Sequence, residues 1–160
     1  MKRFTPELIS EELKLYKHSI NGQVKFHEVD SFRVVHNIQY FYYCEWARTK
    51  YLEFCGIPFT HITFTKSEPL MTVHHEMNYF NSLKLSDEYI VHSRASEIGK
   101  SSITLDNIIT DNNGNPIIRL SSVLVYVNIQ TNQPENIPDD LRSKIIGLEK
   151  NDIKIREPKQ

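Results

Sequence analysis

Residues 26–56 read FHEVDSFRVVHNIQYFYYCEWARTKYLEFCG: an acid, Asp30, a short loop, then a long aromatic helix whose first turn faces back toward that acid. A carboxylate beside a helix N-terminus sets a base or nucleophile against free backbone N–H donors and the positive end of the helix dipole. Such a pairing suits a developing oxyanion, and the chemistry it points to is acyl transfer. His36 and Asn37 stand between the acid and the helix, close enough to bond a substrate, a water or the acid itself. Asn37 reads equally as a helix cap and as a substrate contact. His36 reads as the holder of a nucleophilic water or as a histidine satisfied by loop carbonyls. For Asp30 the plain alternative is a brace for the loop before the helix.

The elements that must position these groups follow from periodicity. Tyr40, Tyr43, Cys44, Ala47, Tyr51 and Phe54 recur at spacings of three and four, which predicts a helix from an Asn37 N-cap to a stop at Gly56, Ile57 and Pro58. Ile38, Phe41 and Leu52 add a second apolar patch and Tyr42 and Trp46 a third side, so this helix is expected to be buried almost all round. Upstream, Thr5, Pro6 and Glu7 form a helix-start signature, and residues 19–29 read as a first strand broken at Gly22. Downstream, residues 71–79 alternate strictly, with Met71, Val73, His75, Met77 and Tyr79 on one face. Strands are also expected at 89–96, 102–110 and 116–128, the last two joined by a hairpin turn at Asp111-Asn-Asn-Gly-Asn115. The sheet needs its apolar face covered, and the long helix is the element able to cover it. The fold class is therefore α+β, a curved antiparallel sheet wrapped around one central helix. Residues 139–148 suggest a short helix after a polar linker, and the charged tail at 151–160 is expected to fray.

Composition removes other classes of function. Nineteen basic residues against twenty acidic ones give a formal net charge of −1, without the basic clustering of a nucleic-acid footprint. No window approaches the roughly 18 apolar residues of a membrane span, and the N-terminus carries acids where a signal peptide needs an apolar core, so the expected location is cytoplasmic. Cys44 and Cys55 lie on one predicted helix about 16 Å apart along its axis and cannot bridge, so they read as buried thiols. In His74-His75-Glu76, His74 and Glu76 share one strand face while His75 takes the other. At most two metal ligands meet there, and no metal site is expected. His75 reads as lining a pocket or as a core histidine. Glu45 and Arg48, three apart on the helix, read as a structural pair.

The stretch Asp30-Ser-Phe-Arg-Val-Val-His-Asn-Ile-Gln-Tyr40, continued by Phe41-Tyr-Tyr-Cys-Glu45-Trp-Ala47-Arg48, resembles the hotdog-fold acyl-CoA thioesterases, especially the branch of 4-hydroxybenzoyl-CoA thioesterase. That family carries an acid, a loop and a helix of the form D-x-x-G-V-V-Y-H-x-N-Y followed by E-x-A-R. The likeness covers about residues 18–130, and Ser86-Asp87 stands where the family commonly has Gly-Asp. It implies one hotdog domain over residues 1–160, with the linker, short helix and tail from 131 onward outside its core. Asp30 then acts as nucleophile or general base, with His36 and Asn37 beside it. Backbone N–H groups near Val35, His36 and Asn37 serve as oxyanion donors. Val35, Tyr40 and His75 contact the acyl group. The implied substrate is a thioester of CoA or acyl carrier protein, hydrolysed without a cofactor by a homodimer or homotetramer. Two departures stand out: His36-Asn37 replaces Tyr-His, and Arg33 replaces the loop glycine. A non-catalytic acyl-thioester-binding protein is the rival reading. An enoyl-thioester hydratase is a weaker one, since Asp30 and His36 lie six apart without the intervening Asn-Pro of that signature.

Overall fold

The computed structural model describes residues 5–56, 70–128 and 130–156; the Ile57-Pro58 part of the expected stop and residues 157–160 fall outside them. In chain order the elements are α1 (Pro6–Leu13), β1 (His18–Gln23), a 3₁₀ turn at Phe26–Glu28, α2 (Asn37–Phe54), β2 (Leu70–Tyr79), β3 (Glu88–Ile98), β4 (Ser102–Asp111), β5 (Pro116–Tyr126), α3 (Asp139–Glu149), a second 3₁₀ turn at Lys150–Asp152 and β6 (Lys154–Ile155). The sheet runs β1-β3-β4-β5-β2 with every neighbouring pair antiparallel. Asp111 Oδ1 accepts the N–H groups of Asn113 and Asn115, and Gly114 takes φ +82°, closing the β4–β5 hairpin as its sequence requires.

One face of the sheet packs on α2. Tyr40, Tyr43, Cys44 and Ala47 meet Val91, Ile109, Ile118 and Leu120, while Tyr51, Leu52 and Cys55 meet Ala95, Leu105, Leu124 and the α3 residues Leu141 and Ile145. The opposite face takes α1, whose Glu12 receives a forked pair from Arg119 at 2.9 and 3.0 Å, with Asp106 at 3.2 Å from the same guanidinium. Three tyrosines of the buried stripe each tie α2 to a different segment. Tyr40 Oη accepts the Leu83 N–H at 3.1 Å, Tyr43 Oη donates to Glu28 at 2.7 Å, and Tyr51 Oη donates to Glu149 at 2.6 Å. Gly22 leaves room for the Tyr89 ring that stacks on Tyr43 at 4.4 Å; a Cβ at Gly22 would fall 2.3 Å from it.

Several expectations are corrected. The first strand stops at Gln23, because the Val24 N–H turns to Asp87 O (2.9 Å) and the Glu28 carboxylate folds back onto the Lys25 N–H (2.7 Å), winding a 3₁₀ turn. The N-cap is His36, whose Nδ1 accepts the Ile38 N–H at 3.3 Å, so Asn37 is the first helical residue. The helix is open on one side: Ile38, Tyr42, Trp46 and Phe54 are 45–58% exposed, since the sheet wraps only the tyrosine stripe. Strict alternation in β2 breaks at a bulge between Thr72 and His74, which puts Thr72 rather than Met71 on the face of His75. Where the tail is expected to fray, Lys154 and Ile155 form β6, which pairs parallel with β3 at Glu97 and Ile98 along the edge that β1 leaves uncovered beyond Ser93.

Arg33 and Ser86 sit at φ +64° and +69°, at the two positions where the resembling family carries glycine. The backbone keeps the turn that glycine would favour, at a cost of about 1–2 kcal/mol for a side chain in the left-handed region. Arg33→Gly and Ser86→Gly should each raise the unfolding free energy by up to about 1 kcal/mol, after the extra unfolded-state entropy of glycine is subtracted, and a β-branched Arg33→Val should lower it. Urea midpoints of the three variants check this; a fall for both glycine variants contradicts it. Tyr43→Phe strips a donor from a carboxylate that is 7% exposed, and should cost about 1–3 kcal/mol in the same assay, against under about 1 kcal/mol for a surface change such as Tyr42→Phe.

Candidate active site

The site is built by the segment between the 3₁₀ turn and α2. Val29 and Val35 form an antiparallel bridge, the Asp30 N–H bonds Val34 O at 2.9 Å, and the Arg33 N–H bonds Asp30 O at 3.0 Å, so the loop doubles back and delivers the chain to the helix. Asp30 Oδ1 accepts the Phe32 N–H at 2.8 Å, the bracing role that a loop aspartate offers. Its Oδ2 has no hydrogen-bond partner among the described residues, and the side chain is half-buried. One oxygen therefore fixes the carboxylate and the other stays available for chemistry. Burial raises the Tyr40 phenol above its ordinary value, the Leu83 amide lowers it part of the way, and the charges of Tyr79, Asp30 and Asp87 raise it again.

The opening amides are not equivalent. The Val35 N–H is held by Leu83 O at 2.8 Å and the His36 N–H by Glu28 O at 2.9 Å, so both are committed to the fold. Ile38 N–H goes to the His36 ring and Gln39 N–H to His36 O, whereas Asn37 N–H has no acceptor among the described residues. Of the three expected donors, Asn37 alone is uncommitted. His36 caps the helix through Nδ1, which in the neutral ring leaves the proton on Nε2.

Val35 and Tyr40 are core residues, 4% and 2% exposed, that hold the 80–87 loop against the helix. His75 is placed differently. It lines a cleft of about 100 Å³ between α2 and the sheet, with Phe41, Cys44 and Arg48 on the helix side and Asn107 and Ser122 on the sheet side. Its Nδ1 lies 2.9 Å from Ser122 Oγ and its ring meets Phe41 edge-on at 5.4 Å. Burial and the Arg48 charge hold the imidazole below its ordinary pKa, so it is neutral at neutral pH. Arg48 spans the rim, donating to Thr72 Oγ1 at 3.2 Å and to Glu45 at 3.3 Å, the pairing expected from sequence. Burial pushes the Cys44 thiol well up, which removes it as a nucleophile.

Sequence reasoning missed Thr72, Asn107 and Ser122 in this cleft. The bulge that turns Thr72 inward leaves no mark on the alternation. Asn107 and Ser122 did carry a signal: each is a polar residue at an inward position flanked two residues away by Leu105 and Ile109, or Leu120 and Leu124, which are all buried.

The sequence profile of the thioesterase-like superfamily matches residues 24–145. The acyl-acyl carrier protein thioesterase ATL3, chloroplastic, of Arabidopsis thaliana is 28% identical over 136 residues, covering 84% of this chain and 70% of that protein. Among solved structures, a thioesterase from Thermus thermophilus complexed with coenzyme A and Zn superposes with a TM-score of 0.72 at 25% identity, over 84% of this chain and 95% of that one. The protein SAV2348 from Staphylococcus aureus in complex with CoA gives a TM-score of 0.77 at 16% identity, over 88% and 89% of the two chains. A strand-wrapped helix, an acid at its mouth and a profile match over most of the chain agree: this chain belongs to the thioesterase-like superfamily, with its hotdog fold.

Proposed function

We propose that the protein hydrolyses an acyl thioester of CoA or acyl carrier protein, with Asp30 as the catalytic acid–base or nucleophilic group. The observation that carries this is a carboxylate braced through Oδ1 with Oδ2 uncommitted, at the mouth of a helix whose Asn37 N–H is also uncommitted. The thioester carbonyl oxygen accepts from Asn37 N–H and from the positive end of α2, which stabilises the oxyanion. Asp30 Oδ2 attacks the carbonyl carbon or takes a proton from an attacking water. When Asp30 acts as base, the C–S bond breaks as the water oxygen adds to the carbonyl, and Asp30 passes the water's proton to the thiolate. When it acts as nucleophile, the C–S bond breaks to give an anhydride with Asp30, which water hydrolyses to the free acid while the water's proton goes to the thiolate. In this reading His36 Nε2–H holds the water.

Family membership supports thioester hydrolysis, and both carriers have support among the relatives: acyl carrier protein in the name of the Arabidopsis protein, CoA in the two bound structures. A homodimer or homotetramer is part of the reading. β2 is an edge strand exposed on both faces, with Met71 51% and Val73 61% exposed, and the open side of α2 adds Tyr42 and Trp46. An unpaired apolar edge of this kind invites a second strand.

Asp30→Asn keeps an acceptor oxygen for the Phe32 N–H and removes the base. It should lower kcat by about 10²–10⁴-fold with an unchanged urea midpoint. Thiol release from a panel of acyl-CoA and acyl-carrier-protein substrates measures it; turnover within tenfold of wild type would remove Asp30 from the mechanism.

A further inference from the structure

A polar pocket in the layer between a helix and a sheet needs an explanation. That layer is built from apolar side chains elsewhere, and a polar group there costs free energy unless it is hydrogen-bonded. Asn107 and Ser122 are each 2% exposed, yet both line the cleft. Asn107 spends its Nδ2 hydrogens on Ser93 Oγ (2.8 Å) and His92 O (3.4 Å), which leaves Oδ1 without a donor among the described residues. The His75–Ser122 pair keeps one spare donor and one spare acceptor in either tautomer. If Ser122 donates to Nδ1, the Nε2–H is spare; if Nδ1–H donates to Ser122, its hydroxyl hydrogen and the Nε2 lone pair are spare. Glu45 offsets the Arg48 charge at the rim, so the cleft carries hydrogen-bonding capacity without net charge.

Size and position narrow the guest. The cleft volume, about 100 Å³, is below the roughly 150 Å³ that accommodates a benzene ring. Phe41 and Arg48 lie about 6 and 16 Å along the axis from Asn37, so the cleft receives the far end of an acyl group whose carbonyl is at the helix start.

Resting on the hydrolase reading above, we propose that this cleft is an acyl subsite that selects a slim aliphatic chain bearing a distal hydroxyl, through His75, Ser122 and Asn107, and that it disfavours aryl groups. The hydroxyl donates to one member of the polar set and accepts from another. A plain methyl end leaves the two buried members, Asn107 and Ser122, short of a partner, while the exposed His75 can turn to water. A terminal carboxylate finds the Arg48 charge already paired with Glu45.

The test compares kcat/KM of the full-length protein for octanoyl-CoA, ω-hydroxyoctanoyl-CoA and 4-hydroxybenzoyl-CoA. The hydroxyoctanoyl thioester should lead octanoyl by about tenfold or more, with the aryl thioester last. In Ser122→Ala, and in His75→Leu as a second variant, the ratio of hydroxyoctanoyl to octanoyl should fall to within about twofold of one. A wild-type ratio already within twofold, a ratio unmoved in both variants, or an aryl thioester as the best substrate each overturns the subsite. Calorimetric binding of the two octanoyl thioesters to the Asp30→Asn protein separates the two ideas. If no thioester is turned over by wild type but hydroxyoctanoyl binds about tenfold tighter, the hydrolase reading falls and the subsite stands. Equal binding removes the subsite whatever the turnover.

Discussion

The bond from Tyr43 to Glu28 is the constraint on which the site depends. Glu28 is buried two residues before Asp30, and it is held three ways: its carboxylate accepts from the Lys25 N–H and the Tyr43 hydroxyl, and its carbonyl accepts from the His36 N–H. Side chain and main chain of one residue thus clamp the 3₁₀ turn both to the second turn of α2 and to its N-cap. A buried acid side chain would be costly alone; with two donors on Oε2 it becomes a rigid joint. The position of Asp30 relative to the Asn37 amide is inherited from that joint, because only the Asp30–Arg33 turn intervenes.

That turn is strained by choice of residue. A left-handed arginine at position 33 and a left-handed serine at position 86 keep a backbone path for which glycine would be the easier occupant. Both loops flank the helix mouth and are bonded together through Val35, Leu83 and Val24. Strain of this size persists only where the surroundings over-determine the conformation. Here the surroundings are the Val29–Val35 bridge, the Leu83 N–H to Tyr40 bond and the Glu28 clamp, all of which face the core.

Much of this was readable from sequence where one local rule acted alone. The tyrosine stripe of α2, the Asn-rich hairpin and the alternating strand segments each follow from periodicity or turn chemistry, whereas the order of the sheet does not: β2 pairs with β5 at the far edge rather than with β3, the next strand in the chain. Features set by competition between neighbours were not readable. His36 displaced Asn37 as cap because the Val35 and His36 amides are drawn off to Leu83 and Glu28, which fixes where the helical bonds begin. Thr72 faces inward because a bulge shifts the β2 register by one residue, a change that composition does not record. Residues 154–155 form a strand because β1 begins only at His18, opposite Ser93, and leaves the rest of the β3 edge to fill, a fact about two segments at opposite ends of the chain. Asn107 and Ser122 were legible in principle, as polar residues at inward positions, but only once the face of each strand was known.

The same helix divides its labour along its length. Its first turn presents the uncommitted amide, its middle lines the polar cleft, and its last turns are locked by the Tyr51 hydroxyl onto Glu149, a carboxyl with no exposed surface whose Oε1 also accepts the Ala95 N–H. Since Ala95 lies on β3 and Glu149 ends α3, that lock joins helix, sheet and C-terminal segment at the end remote from the site. A helix hydrogen-bonded at both ends to buried acid side chains cannot slide along the sheet to enlarge the cleft without breaking bonds of about 1 kcal/mol each. The width of the cleft is therefore a property of the fold rather than of one side chain, and truncating a single lining residue should change which groups bond there before it changes how large a group fits.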